Sequence, residues 1–468
     1  QALQQARKMV DASPDRAESH YLLAAALHAS GDAAAARVSL ERCLQIDALY
    51  YPAVRTLASL DLARQQPKLA MSRFEAVLQK QPDHPQALVA VANLLRKQGA
   101  APDAVLKRLE RAANAAPNNV EVAVEMAEAQ QPLGMLKEAD STLQRALQRK
   151  PGNPLLLERA AAVQYSLGDL DRAINSLMAL AGIDRTNAAS IHLRISELQL
   201  QQGKPALALQ SLQKALSLAP QSVSVQQAYV RALIVANRLA DAQMVARKIQ
   251  QLQPKSPVGY VLEGEARAAG KDWSGALASY RAARLRQESG DIMVRLHRTM
   301  IALGKAGEAR MLEDEWLKKS PGDTVFLRYL GDQALLGGQL AVANEHYRRV
   351  LASVPDHVDV LNNSANGLWQ LNQRDEALNR AEKAYRLAPV DAAVLDTLGW
   401  MLAESGQLGR GLPLLQRAAV LRPDDPQVQL HLGKALLAGQ QPEAAKSALE
   451  AALRLGEFPG SEEARRLL

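Results

Sequence analysis

The chain has 468 residues, 48% of them hydrophobic but only 4% aromatic, 22% charged, and a formal net charge of +7. A core is affordable only in Ala, Leu and Val, and the charged fraction together with this apolar content excludes wholesale disorder. The single cysteine, Cys43, excludes an intrachain disulfide, a CxxC redox pair and a cysteine-rich zinc site, and no apolar run approaches the ~18 residues of a bilayer-spanning helix. Lys and Arg are interspersed with Asp and Glu without a basic run of five. That pattern reads as a solvated surface, not as the dense stripe a nucleic acid needs. The sequence starts at Gln1 with no Met, signal peptide or lipidation motif in view, and reads as a fragment or processed form.

From the first residues onward the chain is periodic. Pro14, Ala48, Pro82, Pro117, Pro151, Arg185, Pro220, Pro254, Glu288, Pro321, Pro355, Pro389, Pro423 and Glu457 recur at spacings of 33 to 35 residues. About 17 residues after each boundary a turn residue recurs: Gly31, Gly99, Gly134, Gly168, Gly338 and Gly406, with Asn237 and Asn372 in the same place elsewhere. Small residues follow near offset 22 (Ala36, Ala70, Ala104, Ala139, Ala173, Ala242, Ala276, Ala343, Ala377, Gly411, Ala445). They return near offset 29 (Cys43, Ala112, Ala146, Ala215, Ala283, Ala384, Ala418, Ala452).

This spacing predicts two helices per repeat. Helix A ends at the Gly or Asn, which accepts a left-handed C-cap. Helix B begins with Pro67, Pro102, Pro205 or Pro442 in its first turn, where a missing N–H costs nothing. Pro85, Pro154, Pro257 and Pro426 are expected in the first turn of helix A. Small positions seven apart share one face of helix B and let neighbours approach closely. The pattern resembles the tetratricopeptide repeat (TPR). The predicted fold is an all-α TPR superhelical solenoid of about 13 repeats, running as one array over 1–468. It has a partial repeat at 1–14, repeats over 15–457 and a capping helix at 458–468. The stretch from Arg284 to Asp323 matches the pattern least and is expected to be a flexure.

Catalytic signatures do not stand out. None of the eight histidines sits in HExxH or HxH spacing, and GxGxxG, GxxxxGK[ST] and GxSxG are missing. We therefore expect no enzyme, no metal and no cofactor, and a packing role for Cys43 on the small helix-B position. A partner would lie on the face lined by helix A, taken at offsets 7, 11 and 14 from each boundary. Late in the chain this stripe holds Arg328, Asp332, Asn362, Asn366, Trp369, Asp396, Trp400 and Lys434, and earlier it holds Val89, Asn93, Glu128, Ser196, Gln199 and Thr299. The first seven of the late residues are the candidate binding site. Trp369 and Trp400 either fill core or offer an aromatic face to a sugar or an extended peptide.

The C-terminal half carries a more specific resemblance. It rests on Pro254–Gly264, Leu361-Asn362-Asn363, Asp375–Leu378, Ala381–Tyr385, Leu395–Trp400, Gly411–Ala418 and Phe458–Ala464. In this order the segments, over roughly 254–468, resemble the TPR-repeat lipoprotein of PEP-CTERM/exosortase systems (PrsT type). Two places depart from that family. Leu430-His431-Leu432-Gly433 stands where it has Tyr-His-Leu-Ala, and Asn366 where it has Trp. The resemblance implies a periplasmic protein, anchored to the outer membrane through a lipid outside this chain. It implies protein partners in exopolysaccharide production and PEP-CTERM protein sorting. Direct polysaccharide binding, or service as the TPR portion of a larger exopolysaccharide secretion protein, stands as the alternative.

Overall fold

A computed structural model describes residues 2–468, and among them all regular structure is helical, without a strand. The chain forms two compact units, Gln1–Asn237 and Arg238–Leu468. The first contains α1 (Ala2–Ala12), α2 (Ala17–Ala29), α3 (Ala33–Ile46), α4 (Tyr51–Ala63), α5 (Pro67–Lys80), α6 (Pro85–Lys97), α7 (Pro102–Ala115), α8 (Val120–Gln130), α9 (Leu136–Arg149), α10 (Pro154–Ser166), α11 (Leu170–Ile183), α12 (Ala188–Gln201), α13 (Pro205–Leu218) and α14 (Val223–Val235). The second contains α15 (Leu239–Leu252), α16 (Val258–Ala269), α17 (Trp273–Arg284), α18 (Gly290–Ala302), α19 (Ala306–Lys319), α20 (Thr324–Leu336), α21 (Leu340–Ser353), α22 (Val358–Gln370), α23 (Arg374–Leu387), α24 (Ala392–Glu404), α25 (Leu408–Leu421), α26 (Pro426–Ala438), α27 (Pro442–Arg454) and α28 (Ser461–Leu467). Even-numbered helices are helix A and odd-numbered ones helix B. Among the described residues no helix is long and apolar enough to cross a membrane.

One left-handed residue follows every helix A from α2 to α26. In the first unit these are Gly31, Gln65, Gly99, Gly134, Gly168, Gly203 and Asn237; in the second, Lys271, Gly304, Gly338, Asn372, Gly406 and Gln440. A residue with φ of about +55 to +87° reverses the chain in the fewest steps. Gln65, Lys271 and Gln440 show that the position demands the conformation even where the sequence supplies no Gly or Asn. Helix starts follow ordinary chemistry. Pro85, Pro154 and Pro426 stand at N1 of α6, α10 and α26, and Asp323, Asp391 and Asp425 accept backbone N–H groups of α20, α24 and α26. Pro257 differs from expectation by one place, standing at the N-cap of α16.

The offset-22 column is buried, from Ala36 and Ala70 to Ala377 and Ala445, as are Cys43, Ala112, Ala384 and Ala418 in the second column. In α7 the buried residue is Val105, and Ala104 is only half-buried. Burial pushes the Cys43 thiol up to about 11, which keeps it protonated and inert. Across the gap between helices A and B, small meets large. Gly331 lies under the Tyr347 ring and Gly433 under Leu449, with room for no Cβ at either.

The stretch from Arg284 to Asp323 is not loosely packed. Its α18 and α19 share one hydrophobic cluster with α17 and α20, holding Met293, Leu296, Leu312, Trp316 and Phe326. Trp316 occupies the slot that holds Ala, Cys or an aliphatic residue no larger than Leu or Ile in the other repeats, and its indole N–H donates to Asp323 at 3.0 Å. The repeat period weakens there because larger side chains fill the core.

The boundary prolines have a further use. Nine of their carbonyls accept a side-chain hydrogen bond, as from Arg111 to Pro82 (2.7 Å), Arg149 to Pro117 (2.6 Å), Arg349 to Pro321 (2.6 Å), Lys383 to Pro355 (2.7 Å) and Arg417 to Pro389 (3.1 Å). In those five the donor sits 28 to 32 residues on, in the C-terminal half of the next helix B. A charged donor ties each loop to the following repeat.

Candidate functional site

Helix A presents one residue per repeat, at offset 11, to the outside of its helix pair. In the second unit the column reads Glu265, Arg298, Asp332, Asn366, Trp400 and Lys434, all half-buried except the exposed Arg298. Offset 11 gives Ser196 and Thr299 in two repeats whose boundary is not Pro, and both are buried. There the column shifts by one, to Glu197 and Arg298. One residue is about 100° of helix rotation, so a change of repeat length re-aims the side chain.

The seven candidate residues divide. Arg328 is exposed and pairs loosely with Asp359 at 3.8 Å. Asp332 accepts from the Tyr347 hydroxyl at 2.8 Å and from Asn363 at 3.2 Å. Asn366 donates to Thr397 at 3.3 Å. Asp396 receives His431 Nδ1 at 2.9 Å, and the His431 ring lies parallel to Trp400, 4.7 Å between centroids and 7° apart. Lys434 Nζ stands 4.3 Å from the Trp400 ring centre and bonds Glu463 at 2.6 Å. These five candidates sit on the helix-A face.

Asn362 and Trp369 do not. Both are only 8% exposed. Trp369 belongs to the core cluster with Leu368, Met401 and Leu402, its N–H donates to Glu404 at 2.6 Å, and Arg374 covers its ring at 3.8 Å. Asn362 leaves its amide oxygen buried without a partner. Offset 14 points at the neighbouring helix and offset 7 is mixed, which is why Val89 and Gln199 are buried too. The two tryptophans therefore form no paired open platform for a sugar.

The polar groups of this face are spent first on one another. In the second unit every two successive A helices are tied: Glu265–Arg295 (2.9 Å), His297–Tyr329 (3.0 Å), Asp332–Asn363, Asn366–Thr397, Asp396–His431 and Lys434–Glu463. In the first unit Arg96 reaches Glu125 at 3.0 Å, and Arg159 reaches Glu128 at 3.3 Å. Partners stand 29 to 35 residues apart, one repeat away. Half-exposed ties of this kind contribute ~0.5–1 kcal/mol each. They set the register of the face and leave lone pairs and N–H groups still turned outward. Sequence reading missed Arg298, Asn363, Thr397 and His431; a check for polar pairs about 31 residues apart would have found most of them.

Tandem helix pairs that stack through small residues and present one helix-A side chain per repeat define a repeat solenoid built to display a surface. Sequence models of the tetratricopeptide repeat match residues 17–48, 55–120, 199–261 and 362–426. The fold is an all-α tetratricopeptide-repeat superhelix. It is similar to a TPR repeat-containing protein of Pseudomonas aeruginosa, 34% identical over 121 residues (26% of this chain, 20% of that one). It is also similar to the CTR9 homolog of Arabidopsis thaliana, 24% identical over 395 residues (82% of this chain, 33% of that one). The chain thus spans a fifth and a third of the length of these relatives. Among solved structures it overlays the APC/C hetero-tetramer Cut9–Hcn1 (TM-score 0.41, 15% identity, 90% of this chain and 96% of that one). It also overlays Naa15/Naa10 bound to HypK-THB (TM-score 0.37, 15% identity, 96% and 72%).

Proposed function

We propose that the chain is a non-catalytic scaffold of the bacterial envelope that holds partner proteins along its helix-A face. The observation that carries the binding role is the column Arg298, Asp332, Asn366, Trp400 and Lys434. It places a cation, a carboxylate, an amide, an indole edge and an ammonium on successive A helices, α18 to α26. An extended segment laid across them meets one polar group per repeat, which suits a peptide backbone and charged side chains. The assignment to exopolysaccharide production and PEP-CTERM sorting is supported by the resemblance over 254–468. In that reading the full-length protein faces the periplasm on a lipid anchor outside this chain.

The test is affinity capture from an envelope extract with the wild-type chain and with N366A/W400A. The expected result is a set of envelope proteins held by the first and lost by the second. Recovery of cytosolic chaperones alone, or equal recovery by both, overturns the reading.

A further inference from the structure

We propose that a second binding surface lies on the helix-B side of the first unit, across α5, α7 and α9, and that its partner is an acidic, extended peptide with apolar side chains. Two crevices adjoin there, one on each side of α7. The larger, about 400 Å³, runs between α7 and α9 over α8, with Ala113, Val122, Met126 and Ala146 as its apolar walls. The smaller, about 390 Å³, lies between α5 and α7, walled by Leu78, Pro82 and Leu88.

The rims are basic. Lys107, Arg108, Arg145 and Arg149 line the two crevices, and none of the four has a carboxylate partner; the three arginines bond only the carbonyls of Ala104, Ser141 and Pro117. Arg111 is held by Asp83 at 2.9 Å, and Glu110 is the one carboxylate on the walls. On B helices of the second unit Arg281 is paired with Glu308 and Arg410 with Glu382, both at 2.9 Å. Four uncompensated cations beside two crevices, each with an apolar wall among polar groups, match carboxylates alternating with aliphatic side chains.

Neighbouring helices pack ~10 Å apart, so the crevices lie within reach of about six extended residues. An extended strand directs successive side chains to opposite sides, one set into the crevices and the other along the rims. The surface shares no residue with the helix-A column, so it stands or falls independently of the function proposed above.

The test is fluorescence anisotropy with a labelled peptide of alternating glutamate and leucine, about twelve residues long and thus ~40 Å when extended. The expected result is saturable, salt-sensitive binding. The exposed charge reversals K107E/R145E weaken it about tenfold or more. Ala113→Leu, which narrows the larger crevice without touching charge, weakens it as well. Circular dichroism of each variant confirms helicity equal to the wild type, which separates lost binding from lost folding. Failure of the peptide to bind overturns the proposal, as does equal binding of a glutamine-for-glutamate peptide. Equal loss with K248E/K318E, two unpaired cations of the second unit, shows general attraction to polyanions and also overturns it. Loss with W400A instead moves the peptide to the helix-A face and is equally fatal to the proposal. A DNA duplex that competes fully with the peptide at equal charge is a further contrary outcome.

Discussion

Gly331 and Tyr347 show how little slack a repeat has. A Cβ at Gly331 would lie 2.6 Å from the Tyr347 ring, whose hydroxyl is fixed on Asp332. We expect Gly331→Ala to cost about 1–3 kcal/mol, read as a lower urea midpoint at unchanged slope. His346 gives a prediction in pH. Burial first, and Arg349 second, hold its pKa below the ordinary histidine value, and its Nδ1 is buried without a partner. Because the folded state binds that proton less readily than the unfolded one, the stability from neutral His346 is complete above pH ~6.5 and is lost as pH falls below it. His297 is lowered by burial in the same direction. His346→Leu, which copies the buried Leu312 one repeat earlier, should flatten the fall in urea midpoint between pH ~7.5 and ~5 relative to wild type. Single positions were also where sequence reading was weakest. The offset-11 column is legible because Asp332, Asn366, Trp400 and Lys434 follow boundaries at regular spacing. Asn362 and Trp369 share that helix face but are covered by neighbours the sequence does not name, whereas Arg328 and Asp396, at the same offset as Asn362, are left more open.

Whole helices were far more legible than single side chains. A left-handed residue after helix A and a small column on helix B are local demands that period 34 repeats until they stand out. Gly203 and Gln65 escaped notice for opposite reasons. Gly203 follows a boundary at Arg185 that breaks the proline series, and Gln65 meets the same backbone demand without the residue that advertises it. At Trp316 the sequence departs from the pattern, and the departure looked like weakness. It is an exchange of size, with Trp316 anchored on Asp323 and Gly290 leaving room beside that carboxylate. The tie between helix B and the preceding loop was not legible at all, because it depends on a carbonyl. Arg349 donates to Pro321 at 2.6 Å from a half-buried position. Arg349→Met keeps the stem and removes the donor; we expect a loss of about 1 kcal/mol, checked by the urea midpoint, with no loss of helicity. A similar cost for Arg349→Lys would show that geometry matters there beyond charge.

At the scale of the molecule, energy is gathered from neighbours. Within the second unit successive A helices are tied, and the partners Arg295, Tyr329, Asn363, Thr397 and His431 recur every 34 residues. Removing residues 356–389 therefore places Thr397 where Asn363 stood, opposite Asp332, and carries Trp369 away together with its need for Glu404. We expect the shortened chain to fold with unchanged helicity per residue, and with a Tm lower by only a few degrees, since one repeat and one interface are subtracted. A non-cooperative melt or loss of helicity beyond the deleted residues would contradict the pairwise account.

The left-handed residue that closes each helix pair also sets a clock. Gly338 brings α21 back on α20 after a handful of residues, and the farthest-reaching side-chain bonds, Trp369–Glu404 and Asp396–His431, join residues only 35 apart. Topology this local keeps contact order low and the entropic cost of closing each loop small. A growing chain can thus secure each pair within about one repeat of further synthesis. Exposure of its alanine- and leucine-rich faces to other chains is correspondingly brief.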